Sequence, residues 1–384
     1  MKPVPAIVVG LCAHGLHIVR NLSRHGVPVI AVESNLSQPT ARTRYGEKVY
    51  CENLKSEALI DCLLDIYQQY QMSLPVFLTN DKMLEMIDAH WPRVEGKFLF
   101  PFTRSLLQPL MVKDSLHPIA AEHGFRLPRS FTLKTVDDVD SLPADLFFPV
   151  ILKPSVPLGS FKTRICDALD DVVKQLTLCP DEPLILQEWI PGKEDSIYFC
   201  AYYIANDLTC SAWYSGRNVL SYPDVTGNSG ATEPMYYPQL LEDGLAFFKK
   251  IGFSGLCSIE YKGLDVNAPY FIEVTVGRTD WWVMCSTING ANLHMAAYND
   301  LTKANIPYHN HPASQYLWHI SDRALPMIVE KLKTREWQVS DLMRYLVRPK
   351  KFAVLDFGDP VPFVFASLAT LKRRVKSLMR RFRI

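Results

Sequence analysis

The sequence contains Cys257-Ser258-Ile259-Glu260-Tyr261 and, a short link later, Phe271-Ile272-Glu273-Val274-Thr275, two apolar segments with one glutamate each. The link holds Gly263, Asp265, Asn267 and Pro269, which are turn-forming residue types. The pattern predicts an antiparallel hairpin in which Glu260 lies directly opposite Glu273.

Two carboxylates at opposed positions repel each other and destabilise a sheet unless a cation lies between them. Carboxylate oxygens, with the remaining coordination positions left to water and phosphate, suit Mg²⁺. The sequence therefore predicts a magnesium site at Glu260 and Glu273. A different hairpin register, with two solvent-exposed glutamates, is the alternative that the sequence leaves open.

Cationic residues flank this hairpin on both sides. Arg278 follows Glu273 by five residues, and an arginine beside a magnesium site can hold a phosphoryl group bidentately. Upstream, a predicted strand over residues 148–153 ends at Lys153, and Lys113 precedes a predicted short helix. Both lysines are candidates for contacts with a nucleotide's phosphates, although a single lysine is more often a solvated surface group.

Residues 1–105 show a different pattern. An apolar run at 6–9, helical spacing at 16–25 and a second apolar run at 27–32 predict β-α-β, the opening of a Rossmann-like parallel sheet. Gly10 and Gly15, with Glu33 ending the second strand, are similar to a dinucleotide fingerprint, but Cys12 replaces its middle glycine. A nicotinamide-dependent oxidoreductase is therefore kept as a minor alternative to an ordinary tight turn.

The middle of the chain, residues 106–312, has α+β character with antiparallel pairing at 197–204 and 208–214. Residues 313–384 are assigned to a C-terminal helical extension. The predicted fold class is thus an α/β domain followed by an α+β domain and this extension.

The site residues also resemble a known family. Their order is Lys113, Lys153-Pro154, the segment Gln187-Glu188-Trp189-Ile190-Pro191-Gly192-Lys193-Glu194, then Glu260 and Glu273. This order resembles the ATP-grasp superfamily over about residues 1–310, and residues 256–280 are similar to its carboxylate–amine ligases. The resemblance implies an ATP-grasp fold in which two α+β subdomains hold ATP between them. It also implies an ADP-forming ligase that activates a carboxylate as an acyl phosphate and joins it to an amine.

By matching position, the resemblance assigns a role to each candidate residue. The phosphate contacts are Lys113 and Lys153, the adenine contacts Glu188, Trp189 and Ile190, the ribose contact Glu194 or Asp195, and the magnesium ligands Glu260, Glu273 and Thr275. Arg278 would face the transferred phosphoryl group. The implied cofactors are ATP and Mg²⁺.

The sequence departs from the family pattern in three places. Thr275 stands where the third metal ligand is usually asparagine, so the number of magnesium ions is left open. Arg278 follows Thr275 by three residues and not two, and the loop Ser155 to Lys162 has one glycine where relatives have several. These departures support a second hypothesis, a catalytically degenerate ATP-binding scaffold.

The sequence does not identify the carboxylate or the amine. Arg217 and the loop Tyr222 to Glu233 lie between elements of the ATP site, so we assign them to the carboxylate substrate, with a solvated loop as the alternative. Trp281-Trp282 is a candidate stacking platform, although core aromatics are more common.

Bulk composition points to a cytoplasmic protein. Nine scattered cysteines without paired spacing predict reduced thiols, and no apolar run is long enough to span a bilayer. The net charge of +1 gives no argument for nucleic acid as a partner. Small-molecule carboxylate and amine substrates are the expected partners, and a homodimer is left open.

The charge is distributed unevenly. The last thirteen residues hold seven cations and no acid, so the rest of the chain has 34 basic and 40 acidic residues. From Leu368 the apolar residues follow helical spacing, which predicts a basic amphipathic helix over 368–384. Such a helix can bind the anionic inner membrane face peripherally, dock on the protein's own acidic body, or bind a partner.

Overall fold

The computed structural model describes residues 2–155, 161, 163–223, 227–279, 282–310 and 315–381, with every side chain except those of residues 113, 114, 373–378, 380 and 381. The chain divides into two compact units. Unit 1 contains Met1–Pro101, Asp280–Ser321 and Arg348–Ile384, and unit 2 contains Phe102–Thr279 and Asp322–Val347. The sequence predicted three consecutive domains at 1–105, 106–312 and 313–384, whereas the contacts return two later segments to the N-terminal unit.

The strands of both units are numbered in chain order. They are Ala6–Val9 (β1), Val29–Glu33 (β2), Glu47–Tyr50 (β3), Leu74–Leu78 (β4), Phe98–Leu99 (β5), Ser130–Leu133 (β6), Val150–Pro154 (β7), Arg164–Cys166 (β8), Leu184–Glu188 (β9), Ile197–Ile204 (β10), Cys210–Tyr222 (β11), Asn228–Pro234 (β12), Gly255–Lys262 (β13), Tyr270–Val276 (β14), Leu317–His319 (β15) and Lys350–Phe352 (β16).

The α-helices are numbered in the same way. They are Ala13–Arg24 (α1), Ala58–Tyr70 (α2), Asp81–Ala89 (α3), Trp91–Val94 (α4), Leu107–Met111 (α5), Lys113–Glu122 (α6), Leu169–Leu178 (α7), Pro238–Lys250 (α8), Trp282–Ile288 (α9), Leu293–Thr302 (α10), Ser321–Lys333 (α11), Val339–Val347 (α12) and Val361–Arg381 (α13). Short 3-10 helices lie at Pro39–Arg42, Arg104–Leu106, Val136–Ser141 and Glu194–Ser196.

Unit 1 is built on a parallel sheet with the order β3-β2-β1-β4-β5, which confirms the predicted Rossmann-like domain. Strands β1, β2 and β4 are buried along their whole length, as expected for a sheet covered on both faces. The later segment Asp280–Ser321 contacts α1 of the same unit. Two buried hydrogen bonds of 2.8 and 3.0 Å join the side-chain amides of Asn21 and Asn292. The side chain of Asn292 also caps α10, accepting a bond from the amide of Met295.

Two histidines are buried between α1 and α10. Burial lowers the pKa of His17 to about 3, and the charges of Arg20 and Arg24 act in the same direction. Burial also lowers the pKa of His294 to about 3, with a further contribution from His17. Both side chains are therefore neutral in the folded protein over the physiological range.

We expect unit 1 to lose stability in mild acid because of these histidines. Their ordinary pKa is 6.5, so below that pH the unfolded chain binds protons that the folded chain does not. Each histidine then lowers the free energy of unfolding by roughly 1.4 kcal/mol per pH unit between about pH 6.5 and 3. Urea unfolding at a series of pH values should show a shallower slope for His294→Phe than for the parent. A matched change at the exposed His309, His309→Gln, should leave the slope unchanged, and equal slopes in all three proteins would contradict this account.

Unit 2 contains two antiparallel sheets. The smaller has the order β6-β9-β7-β8 and packs one face on α7 through a core that includes Leu152, Leu186 and Val172. In the larger, five strands of this unit run in the order β14-β13-β10-β11-β12. Its packing on α8 includes the Tyr202 hydroxyl, which donates a 2.9 Å bond to the carbonyl of Leu241. The predicted fold class, a Rossmann-like parallel sheet together with α+β structure that contains antiparallel sheets, is confirmed.

Candidate functional site

The hairpin β13–β14 carries the two glutamates. Its register pairs Glu260 with Glu273 across the strands, which confirms the predicted geometry and excludes the alternative register. Both side chains are half-buried. Directly paired residues in an antiparallel ladder point to the same face, so the carboxylates are neighbours.

A β-bulge produces this arrangement. Tyr261 pairs with Phe271, so Ile272 is an extra residue between that pair and the pair of Glu260 with Glu273. Phe271 is fully buried, and its ring packs against Phe125 at 4.9 Å between centroids. Residues two apart on a strand normally share a face. The bulge instead lets Phe271 enter the core while Glu273 stays beside Glu260 on the opposite face.

The donors at this hairpin fit magnesium. Thr275 pairs with Ser258 on the face of the two glutamates, so two carboxylates and two hydroxyls lie along adjacent strands. Among the residues that the structure describes, no group of three or more His, Cys, Asp or Glu side chains could hold a metal ion. Two carboxylates without a complete protein cage suit Mg²⁺, which keeps waters and takes phosphate oxygens as ligands. The repulsion between the glutamates gives an independent physical reason for a cation there.

Arg278 follows the end of β14. The amide of Gly277 donates a 2.8 Å bond to the carbonyl of Leu256, and Gly277 has a φ of 73°, which turns the chain sharply before the arginine. The guanidinium is half-buried and lies 3.4 Å from the carbonyl of Thr279. Its position just beyond the carboxylate strand is consistent with the predicted role in phosphoryl transfer.

The smaller sheet presents a second polar group. The Lys153 ammonium donates a 2.7 Å bond to the side chain of Gln187, which donates a 3.1 Å bond to the Ser130 hydroxyl. Lys153 and Gln187 alternate with Leu152 and Leu186, so they occupy the face opposite the α7 core. The sequence prediction included Lys153 but missed Gln187 as a site residue, although Gln187 opens the segment that carries the family resemblance.

Glu188 is engaged with the protein backbone. Its carboxylate accepts a 3.1 Å bond from the amide of Arg129, and its own amide donates a 2.8 Å bond to the Arg129 carbonyl. These reciprocal bonds hold the end of β9 against the start of β6. The backbone of Trp189 and Ile190, which comes next, is the remaining candidate for contact with an adenine edge.

The two candidates for the ribose contact differ in burial. Glu194 is buried and forms a 2.7 Å ion pair with Lys331 of α11, which also pairs with Glu336. Asp195 is exposed. A carboxylate held by a buried lysine is less available to a ligand, so the structure favours Asp195 for the ribose.

Lys262 is a residue that the sequence prediction missed. It is buried at the end of β13, and its ammonium lies 4.5 Å from the centre of the Trp189 ring. Burial lowers the pKa of Lys262, and the negative charge of Glu260 acts against that shift. The contact joins the larger sheet to the segment that follows β9 of the smaller one.

Arg217, the predicted contact for the carboxylate substrate, does not lie beside Glu260 and Glu273. It pairs with Tyr198 on β10, whereas Glu260 pairs with the next residue, Phe199, so the two side chains lie on opposite faces of the sheet. The guanidinium forms a 2.5 Å ion pair with Glu233. Burial works against its charge, but the hydrogen bond and charge of Glu233 outweigh it and raise the pKa of Arg217.

Several predicted elements lie wholly or partly outside the described residues. They are the side chain of Lys113, most of the loop Ser155 to Lys162, part of the loop Tyr222 to Glu233, and Trp281. Trp282 is described, and it is buried at the start of α9, which favours a core aromatic. The carboxylate-binding and stacking roles of these segments stay predictions.

The structure argues against the dinucleotide alternative. The carboxylate of Glu33 accepts hydrogen bonds of 2.6, 2.7 and 3.1 Å from the amides of Leu11, Ser34 and Asn35, so the turn itself occupies it. A Cβ on Gly15 would lie 1.8 Å from the carbonyl oxygen of Gly10. Both features stabilise an ordinary tight turn between β1 and α1, which the sequence pattern favoured over a dinucleotide-binding turn.

The fold is similar to that of known proteins. No family model matches the sequence. The structure is similar to an N5-carboxyaminoimidazole ribonucleotide synthetase solved with ADP, with a TM-score of 0.65 and 11% identity over 83% of this chain and 81% of that one. The biotin carboxylase domain of a Hydrogenobacter thermophilus 2-oxoglutarate carboxylase, solved with MgADP, ADP and bicarbonate, gives a TM-score of 0.64 and 13% identity over 82% and 73% of the two chains.

A curated protein also matches by sequence. The carbamoyl phosphate synthase large chain of Gemmatimonas aurantiaca is 23% identical over 266 residues, which is 66% of this chain and 23% of that protein. The chain thus spans about a quarter of the length of this relative. Together with the solved structures, the match confirms the predicted fold: the chain has the ATP-grasp fold.

Proposed function

We propose that this protein is an ADP-forming ligase that uses ATP and Mg²⁺ to join a carboxylate to an amine. The observation that carries the proposal is the register of Glu260 opposite Glu273 on one face of the larger sheet. The ATP-grasp fold supports it, since the similar structures include complexes with ADP and MgADP.

In the proposed reaction, a carboxylate oxygen of the substrate attacks the γ-phosphorus of ATP and ADP leaves. The amine nitrogen then attacks the carbonyl carbon of the acyl phosphate, loses a proton and expels inorganic phosphate. Magnesium, when bound by Glu260, Glu273 and Thr275, supplies positive charge against the phosphate oxygens. The protein contributes mainly position and charge to such a transfer.

The roles of the chain's own residues follow from their places. Lys153, held by Gln187, presents an ammonium on the face of the smaller sheet opposite the α7 core. Arg278 presents a guanidinium beyond β14, where it can hold the transferred group bidentately. The backbone at Trp189 and Ile190 contacts the adenine edge, and Asp195 accepts from the ribose hydroxyls.

The test is ADP formation by the full chain across a panel of carboxylates and amines. Turnover that requires ATP, Mg²⁺ and both substrates supports the ligase. ATP binding without turnover across the whole panel favours the degenerate scaffold, for which Thr275 is the motivating residue. Failure to bind ATP would overturn both proposals.

The C-terminal helix carries a second proposal, peripheral binding to an anionic membrane surface. Helix α13 exposes Val361, Val364, Leu368 and Leu371 at spacings of three and four residues, with exposed fractions of 42, 49, 49 and 59%. These side chains are thus not covered by the protein's own body. Residues 361–384 contain no acid, so charge complementarity favours an anionic surface over a second copy of this helix. In the described part of the chain, no helix is both long and apolar enough to cross a membrane.

We expect Leu368→Glu with Leu371→Glu to abolish co-sedimentation with vesicles that contain anionic lipid. Both leucines are exposed, so the fold should be unaffected. Each basic residue near the anionic membrane surface contributes about 1 kcal/mol to binding, and the two new carboxylates oppose that attraction. The exposed Leu264→Glu serves as the matched control and should bind as the parent does. Equal sedimentation of all three proteins would contradict the proposal. A parent protein that sediments only with zwitterionic vesicles would contradict it as well. If the parent is a dimer and the double substitution dissociates it, the exposed apolar residues of α13 instead contact a second copy of the chain.

A further inference from the structure

The face of the larger sheet that carries the glutamates continues beyond them. Glu260 and Lys262 are two residues apart on β13 and pair with Phe199 and Ile197 of β10 without a register shift. They therefore point to the same face, with Cα atoms separated by roughly 6.5 Å. A line along this strand leads from the carboxylate pair to a lysine.

Lys262 lies where the base of a nucleotide is expected. Its ammonium is 4.5 Å from the centre of the Trp189 ring, and Trp189 belongs to the segment whose backbone is the candidate adenine contact. The carboxylate pair marks the phosphate end of the same face. Lys262 is thus placed at the ribose and base end, two residues along β13 from Glu260.

Burying an ammonium is costly unless other groups stabilise it. Lys262 is only 8% exposed, and an apolar side chain of similar length could fill its place without that cost. The Trp189 ring provides part of the stabilisation through a cation–π contact, and the negative charge of Glu260 on the same face provides another part. A ligand with hydrogen-bond acceptors would provide the rest.

We propose that Lys262 is a nucleotide-binding residue whose ammonium donates a hydrogen bond to the ribose or base of ATP, while Glu260 and Glu273 serve the phosphate end. This inference rests on the proposed function. Lys262 then binds the nucleoside part of ATP and has no role in the transfer of the phosphoryl group.

The division of roles gives a selective test. ADP contains the nucleoside and inorganic tripolyphosphate does not, so the two ligands separate the two ends of the site. The Lys262→Met variant loses one charge-assisted hydrogen bond. It should therefore bind ADP about tenfold more weakly than the parent does. Tripolyphosphate binding should be unchanged.

The experiment is calorimetric titration of the full chain with each ligand in the presence of Mg²⁺. The conservative variant Lys262→Arg should recover most of the ADP affinity, and Lys250→Met at an exposed lysine of α8 should behave as the parent does. Thermal unfolding is measured on the same samples, since Lys262 also joins the two sheets.

The outcomes separate this inference from the proposed function. Unchanged ADP affinity in Lys262→Met overturns the inference alone, and a lowered melting temperature with that result assigns Lys262 a purely structural role. A parallel loss of ADP and tripolyphosphate affinity also overturns it, because the lysine would then serve the phosphates. A parent chain that binds no ADP overturns both.

Discussion

Glu273→Gln is expected to lower ADP formation by about a hundredfold or more, because the amide removes one of two carboxylate ligands from the proposed magnesium site. The same change should raise the stability of the protein in the absence of Mg²⁺. Glu273 lies directly opposite Glu260, and removing one charge relieves a like-charge pair worth about 0.2–1 kcal/mol. Activity and stability thus move in opposite directions at a single residue.

This opposition distinguishes a metal site from a structural pair of glutamates. The measurements are the rate of ADP formation and urea unfolding of the parent and the variant, each with EDTA and with excess Mg²⁺. Mg²⁺ should stabilise the parent and have a smaller effect on Glu273→Gln, since ligands that bind the folded state shift its stability by mass action. Glu242→Gln, at an exposed glutamate of α8, is the matched control and should change neither quantity. A variant that loses both activity and stability in EDTA would assign Glu273 a structural role.

The sequence was informative about this hairpin for a physical reason. Turn-forming residues between 262 and 269 locate the centre of the hairpin, and the alternation of each strand then fixes which side chains oppose. Glu260 and Glu273 followed from those two local features. The bulge at Ile272 did not, since it depends on Phe271 packing against Phe125, which is far away in the sequence.

Contacts between distant strands explain what the sequence could not predict. Gln187 meets Lys153 only because β7 and β9 pair antiparallel, which brings together residues 34 positions apart. Arg217 is separated from Glu260 by the intervening strand β10, so its face could not be read from β11 alone. Glu194 and Asp195 are chemically alike, and the choice between them depends on Lys331, which approaches from a later segment.

The largest effect on stability is expected at Asp359, in the segment that precedes α13. Its carboxylate forms a 2.9 Å ion pair with Arg20 of α1, and the two side chains are 1% and 4% exposed. The Thr43 hydroxyl donates a 2.5 Å bond to the same carboxylate, and the amide of Arg44 donates one of 3.1 Å. The Asp359 carboxylate thus helps to fix a returning segment of the chain to the N-terminal part of unit 1, together with bonds of 3.0 and 2.8 Å that Arg20 donates to the carbonyls of Val354 and Asp359.

Asp359→Asn should lower the free energy of unfolding by about 3–5 kcal/mol, because it leaves the Arg20 charge buried without its counter-ion. Asp356→Asn provides a matched control three residues earlier. Asp356 pairs with Arg24 at 2.7 Å, but the side chains are 23% and 40% exposed, so solvent screening limits the expected loss to about 1 kcal/mol or less. Chemically identical changes should therefore differ several-fold in effect.

Urea unfolding of the two variants measures this difference, and Arg20→Met combined with Asp359→Asn tests its cause. If the loss comes from an uncompensated buried charge, removal of both charges should recover part of the stability, although the bonds from Thr43 and Arg44 remain weakened. Strictly additive losses would instead mean that the hydrogen bonds of Asp359 matter and its charge does not. Equal losses for Asp359→Asn and Asp356→Asn would show that burial does not decide the strength of these pairs. The expected ranking makes Asp359 the anchor of the C-terminal segment, and the membrane test should therefore use variants at Leu368 and Leu371 that leave this anchor intact.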